Sequence, residues 1–339
     1  MNYKMIGRFL GQILAIEGLF MVPAMVISIG YGEWIAVRAF LITIAAVVVM
    51  AGLLLLLGRS APNAMNAREG MVCVGIGWIV LSLFGCLPFV LSREIPRYID
   101  AFFEIVSGFT TTGASILSDI EALSWGNLYW RSFSHWLGGM GVLVFLLAVF
   151  PGDKDTGFTM HLLRAESPGP DVGKLAPRMR KTAGILYIIY IVMTLINFLL
   201  LLVDMHWLEA LCTAFGTAGT GGFGIKNDSL AGYSPYVQYV TTIFMFLFGI
   251  NFSCYYLLLI KQWKSVWKDE ELRLYLGIIL GSILLITLDT RAIYGTLEET
   301  IRHAAFQVGS IITTTGYATV DFDLWPSFSK TILLCLMVV

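Results

Sequence analysis

Three times in this chain an apolar stretch too short to cross a bilayer ends in threonine and glycine, each time with a long apolar segment before it and a further apolar segment after it. The segments are FFEIVSGFTTTGASIL at 102–117, LEALCTAFGTAGTGGFGI at 208–225 and IRHAAFQVGSIITTTGYAT at 301–319. Aligned on their glycines they give Thr111-Thr112-Gly113-Ala114, Thr220-Gly221-Gly222-Phe223 and Thr314-Thr315-Gly316-Tyr317, with the glycines 109 and 94 residues apart. Irregular backbone survives at membrane depth only where it is buried in protein or lines a cavity. The recurrence therefore reads as an internal repeat of span, pore loop, span. The pore half-helices are expected at about Asp100 to Phe109, His206 to Phe215 and Thr300 to Ile311.

Composition agrees. Of 339 residues, 57% are hydrophobic and only 13% charged, with a mean hydropathy of +0.78, against about 25% charge in a soluble domain. A spanning helix needs about 20 apolar residues. That rule predicts spans at about 5–29, 33–57, 70–92, 127–150, 183–203, 235–260 and 272–290, and one starting near 326. The first is too long for the core of a cleaved signal and is read as a retained helix. The layout is an all-α polytopic membrane protein. Two N-terminal transmembrane helices fill 1–57, pore repeat 1 fills 68–150, a cytoplasmic loop 151–181, pore repeat 2 fills 182–260 and pore repeat 3 fills 272–339.

Orientation follows the basic residues. With the N-terminus cytoplasmic, 14 of the 22 lysines and arginines fall inside and the other 8, Arg131 among them, outside, while 14 of the 23 acidic residues, Glu104 among them, fall outside. The pore loops then enter from an outer face whose negative charge concentrates cations, although acidic residues also avoid the basic side for topological reasons alone.

Selecting a cation by replacing its water shell takes rings of oxygen ligands, the task of backbone carbonyls in a filter. Glycine permits the positive φ such a strand needs. Gly113, Gly222 and Gly316 meet that need, while Thr111, Thr112, Thr220, Thr314 and Thr315 add carbonyl and hydroxyl oxygens. The half-helices would point their negative carboxyl ends inward, which favours a cation without any side-chain charge.

Other polar features read as structural. Glu17 in the first span faces protein, His135 in SHWLGGMG is a buried core residue, and Tyr129 and Trp136 are interfacial anchors. Gly138, Gly139 and Gly141 let their helix approach its neighbours. Cys73, Cys86, Cys212, Cys254 and Cys335 lie in apolar stretches without metal-ligand spacing and pack as small hydrophobes. Gly219, Gly221 and Gly224 match GxGxxG, but no strand precedes them, so the dinucleotide reading fails its context. The spans offer no paired carboxylates, HExxH or GxSxG, so the chain is not read as an enzyme.

The ordered set TTTGAS (110–115), SHWLGGMG (134–141), GTGGF (219–223), NFSCYY (251–256) and TTTGYATVDFDLWP (313–326) resembles the membrane subunit of Trk-type potassium uptake systems, in the Trk, Ktr and HKT superfamily. The two spans ahead of the first repeat resemble the Trk branch. The resemblance implies helix, pore-helix, helix units around a pseudo-fourfold pore in the cytoplasmic (inner) membrane. It implies a selectivity filter at Thr111, Thr112, Gly113, Thr220, Gly221, Gly222, Thr314, Thr315 and Gly316, with potassium held at Thr111, Thr112, Thr220, Gly221, Thr314 and Thr315. Potassium is then the transported ion, with no tightly bound cofactor. In HKT relatives a serine at the first filter glycine goes with sodium transport, and Gly113 favours potassium; a sodium and potassium transporter of the HKT type and a transport-dead scaffold are the alternatives.

The implied partners are a second copy in a homodimer, membrane lipid, and a cytosolic nucleotide-binding regulatory ring of the TrkA kind. The basic loops 151–181 and 261–273 are its candidate contacts; no nucleic acid is expected. The family pattern has four repeats and this sequence reaches only the third, so a natural precursor is expected to continue past Val339.

Overall fold

The computed structural model describes residues 2–60, 67–139, 141 and 179–338. The expected cytoplasmic loop 151–181 and the second half of the span expected at 127–150 fall largely outside those residues. The described residues are helical and contain no strand. They divide into two units, Met1–Leu117 with Ala122–Tyr187, and Ser118–Glu121 with Ile188–Val339.

In the first unit, α1 (Tyr3–Gly30) and α2 (Trp34–Leu57) form a hairpin. Gly7 faces Leu54, Gly11 faces Ala51 and Leu55, and Gly18 faces Val47, so the two run antiparallel. A Cβ at Gly11 would meet the Ala51 carbonyl oxygen at 3.0 Å. Small residues of this kind bring backbones close where the surrounding lipid removes the hydrophobic gain of association. Glu17, 2% exposed, does face protein. By contrast only 22% of the apolar window of α2 is buried, leaving Leu41, Val48, Val49 and Leu56 for lipid.

A third span, Glu69–Leu91, comprises α3 (Ala67–Gly85) and α4 (Leu87–Leu91). Then comes α5 (Tyr98–Phe109), whose 12 residues reach about 18 Å at 1.5 Å per residue, well short of a hydrocarbon core of about 30 Å. It packs against α3, α4 and α6 (Trp125–Gly139). The Trp130 indole of α6 donates to the Gly85 carbonyl (2.8 Å) and meets Phe109 edge-on. His135 is fully buried, as expected, but Tyr129 is buried too and stacks on Phe133 at 5.5 Å. It is a core residue and not an interfacial anchor, because α6 is covered on nearly every side.

The helix α7 (Met179–Leu201) carries the boundary between units. In the second unit follow α8 (Trp207–Ala218), α9 (Pro235–Phe248), α10 (Phe252–Leu259), α11 (Trp263–Trp267), α12 (Glu270–Thr290), α13 (Leu297–Ile312), a 3-10 turn (Phe322–Leu324) and α14 (Ser327–Leu336). The core here joins Ile279 and Ile286 of α12, Ala304 and Val308 of α13, and Leu333 and Leu336 of α14 around Trp325.

The straight span expected over 235–260 is instead two helices bent by 85°. Gly249 ends α9, and Asn251 starts α10 by accepting from the Ser253 N–H at 3.0 Å. Tyrosines bond carbonyls at the break: Tyr255 donates to Leu247 (2.6 Å), which also accepts from the Ile250 N–H (3.3 Å), and Tyr275 donates to Phe246 (3.1 Å). Among the described residues five helices, six with the bent pair counted as one span, are long and apolar enough to cross a membrane. Cys73, Cys86, Cys212 and Cys254 are buried as expected, whereas Cys335 near the end of α14 is exposed.

Candidate functional site

Each half-helix runs straight into its loop, and the first loop residues fold back on it in the same way. The N–H of Thr111 bonds the Gly108 carbonyl, that of Thr220 the Thr217 carbonyl and that of Thr314 the Ile311 carbonyl, each three residues back, at 3.0 to 3.2 Å. The observed half-helices, Tyr98–Phe109, Trp207–Ala218 and Leu297–Ile312, match the expected ones to within about one turn.

The backbone then repeats as well. Thr111 (φ +54°), Thr220 (+49°) and Thr314 (+56°) lie in the left-handed region, and two residues on so do Gly113 (+75°), Gly222 (+70°) and Gly316 (+86°). Between them Thr112, Gly221 and Thr315 keep negative φ. A left-handed conformation in a β-branched residue is a genuine outlier that costs on the order of 1–3 kcal/mol and persists only where the surroundings over-determine it. Here it occurs three times at the same register.

The first and third loops agree in their side chains also. Thr110 donates to the Val106 carbonyl (2.8 Å) and shares a hydrogen bond with Thr112 (2.8 Å); Thr313 does the same with Gly309 and Thr315, both at 2.7 Å. The expected hydroxyl ligands Thr112 and Thr315 are thus already engaged with a neighbour that the sequence reading passed over. Gly219 and Gly221 stand at those positions in the second loop, which has no such pair.

Within the second unit the second and third loops come together. A Cβ on Gly222 would lie 1.9 Å from the Thr315 carbonyl oxygen and 3.1 Å from the Gly316 carbonyl carbon. The Tyr317 hydroxyl donates to the Thr213 (3.3 Å) and Phe223 (3.4 Å) carbonyls, Leu230 N–H bonds the Ala318 carbonyl, and Ala318 N–H bonds Ser229 Oγ. Thr220, Gly221, Gly222, Thr314, Thr315 and Gly316 therefore form one neighbourhood. Gly249, at the bend, seats beside Thr313 and Tyr275.

Thr111, Thr112 and Gly113 belong to the first unit. There α6 closes on the end of α5: a Cβ on Gly138 would come within 2.3 Å of the Phe109 carbonyl oxygen. Beyond the loop lies a pair that sequence reasoning placed on the outer face. Glu104 and Arg131 are 0% and 1% exposed, and Arg131 Nε donates to Glu104 at 2.6 Å. The readable signal was two ionisable residues inside apolar helical segments, which in a membrane pair with one another. No group of three or more His, Cys, Asp or Glu side chains able to hold a metal occurs among the described residues. The oxygens of the loops themselves are those of backbone, threonine and serine, with the Glu104 carboxylate behind the first.

Half-helices ending in strained threonine and glycine turns, each preceded by a helix long and apolar enough to cross a membrane, define a polytopic all-helical membrane protein. The family described as TrkH, cation transport protein, matches residues 36–339. The Trk system potassium uptake protein TrkH of Escherichia coli K12 is 34% identical over 344 residues, covering 99% of this chain and 70% of that protein. TrkG of the same organism is 30% identical, covering 98% and 69%. The crystal structure of the potassium transporter TrkH from Vibrio parahaemolyticus matches with a TM-score of 0.84 at 28% identity, over 99% of this chain and 70% of that one. The chain belongs to the TrkH family of cation transport proteins, which are transporters and not enzymes.

Proposed function

We propose that the chain is the pore-forming membrane subunit of a Trk-type potassium uptake system, with its N-terminus cytoplasmic in the inner membrane. Potassium is selected by main-chain carbonyls, with threonine oxygens in support, from the loops at Thr111–Gly113, Thr220–Gly222 and Thr314–Gly316, contributed to a pseudo-fourfold ring. The single observation that carries this reading is the thrice-repeated left-handed threonine followed two residues later by a left-handed glycine. In an extended strand successive carbonyls point to opposite sides; reversing the hand at every second residue turns them to the same side, where they replace water around an ion. Each loop also begins at the carboxyl end of a half-helix, whose partial negative charge favours a cation.

The names of the relatives support potassium as the ion. A cytosolic nucleotide-binding partner of the TrkA kind is part of the proposal, with Lys261, Lys264, Lys268 and Arg273 of the segment 261–273 as its candidate contacts. A homodimer in the lipid bilayer completes the proposal.

The test is potassium uptake by cells lacking their own uptake systems, with and without Gly113→Ser. The parent restores growth at low potassium and excludes sodium. Gly113→Ser places a side chain where φ is +75° and lowers the potassium to sodium ratio by about tenfold, the effect of ~1.4 kcal/mol. Sodium entry equal to potassium entry in the parent refutes the reading.

A further inference from the structure

The buried pair behind the first loop has a geometry that helix packing alone does not require. Removing two opposite charges from water is expensive, and apolar side chains of similar size hold two helices together at least as well. What apolar side chains lack is acceptors. Glu104 uses its carboxylate for three donors: Arg131 Nε at 2.6 Å, Ser115 Oγ at 2.9 Å, and the Ile116 N–H at 2.9 Å. Ser115 and Ile116 are the second and third residues after Gly113. Because Glu104 sits on α5 before the loop, its carboxylate bridges loop entry and loop exit across Thr111–Gly113.

The register is telling. Glu104, Thr213 and Gln307 each stand nine residues before their loop glycine. The Thr213 carbonyl shares the Tyr317 hydroxyl with Phe223, just past Gly222, and Gln307 Nε2 donates to the Val320 carbonyl, past Gly316. Each loop is thus tied at its exit from the same point of its half-helix, but only in the first is the tie a charged one.

We propose that Glu104, held by Arg131, is a positioning residue that fixes the backbone of the first loop and thereby sets its discrimination between potassium and sodium. This rests on the potassium-filter reading above. Arg131 Nε pairs with the Glu104 carboxylate in a buried site, and hydrogen bonds made to such a charged pair are shorter and stronger than neutral ones. Neither residue touches the ion.

The decisive variant is Glu104→Leu with Arg131→Met in the intact protein, which removes both charges together and keeps the volume. Purified parent and variant, reconstituted in proteoliposomes, are compared for potassium and sodium flux, with size-exclusion profiles to confirm folding. A folded double variant whose potassium to sodium ratio has dropped about tenfold, as loss of one charge-assisted hydrogen bond would give, supports the proposal. A folded double variant with the parent's ratio overturns it. If the double variant does not accumulate, Ser115→Ala decides, because Ser115 is exposed and its change deletes the hydroxyl's bonds to Glu104 and to the Leu117 N–H without stranding a charge. A ratio reduced severalfold supports the tie, and an unchanged ratio overturns it. A parent that does not discriminate between the ions refutes the filter reading itself, whereas a discriminating parent with unaltered variants refutes only the role of the pair.

Discussion

Gly222 and Gly316 offer a matched pair of substitutions that separates backbone strain from loop contact. Both have positive φ, +70° and +86°, so alanine at either position incurs the left-handed penalty of about 1–2 kcal/mol. Their surroundings differ. A Cβ at Gly316 meets nothing within 4 Å, whereas at Gly222 it meets the Thr315 carbonyl oxygen at 1.9 Å and the Thr315 carbonyl carbon at 2.9 Å. Carbon and oxygen do not approach closer than about 3.0 Å, so Gly222→Ala must drive the second and third loops apart by roughly 1 Å, and a misplacement of that size costs a positioned site on the order of 100-fold. Gly316→Ala should therefore reduce potassium uptake by about 5- to 30-fold, the weight of 1–2 kcal/mol, and leave it measurable. Gly222→Ala should reduce uptake to background. The assay is rubidium or potassium uptake per molecule of membrane-inserted protein at several external concentrations. Equal losses in the two variants, or parent-like uptake in Gly222→Ala, would refute the contact between the loops as their organising constraint.

Two further substitutions test the supports. Tyr317→Phe removes the hydroxyl that ties Thr213 to Phe223; a net loss of about 1 kcal/mol should lower the unfolding midpoint by a few degrees, and an unchanged midpoint would show that the hydroxyl does not stitch the loops. Asn251→Ala deletes the cap of α10, at a cost of about 1 kcal/mol, while Asn251→Ser keeps an acceptor and should recover most of it; equal midpoints for the two would exclude capping as the role of Asn251.

The half-helices and loops were legible because their signal is one of length: Tyr98–Phe109 is apolar yet too short to cross, and the threonines and glycines follow it directly. The bend at Gly249 was not legible by hydropathy, since 235–260 is apolar on both sides of it. A glycine closing one helix and an asparagine opening the next stood in the sequence as the signal, but the tyrosines that make the break tolerable come from 255 and 275 and are visible only in three dimensions. The Glu104 and Arg131 pair was hidden for a related reason. Counting charges by side of the membrane assigned both to the outer face, and only packing shows that they face each other. Thr110 and Thr313 escaped notice because their role is to hold the hydroxyls of Thr112 and Thr315, a local contact that the alignment on glycine does not express. Cys335 was misjudged since an apolar neighbourhood in sequence does not say which side of a helix is covered.

The elbow between Phe248 and Phe252 is latched from two directions, by Tyr255 on the arm beyond it and by Tyr275 on α12. Straightening it would pull both tyrosine hydroxyls off the Leu247 and Phe246 carbonyls. The corner is braced from both directions, and Thr313, packed against Gly249 beside the Tyr275 hydroxyl, carries that brace to the start of the third loop.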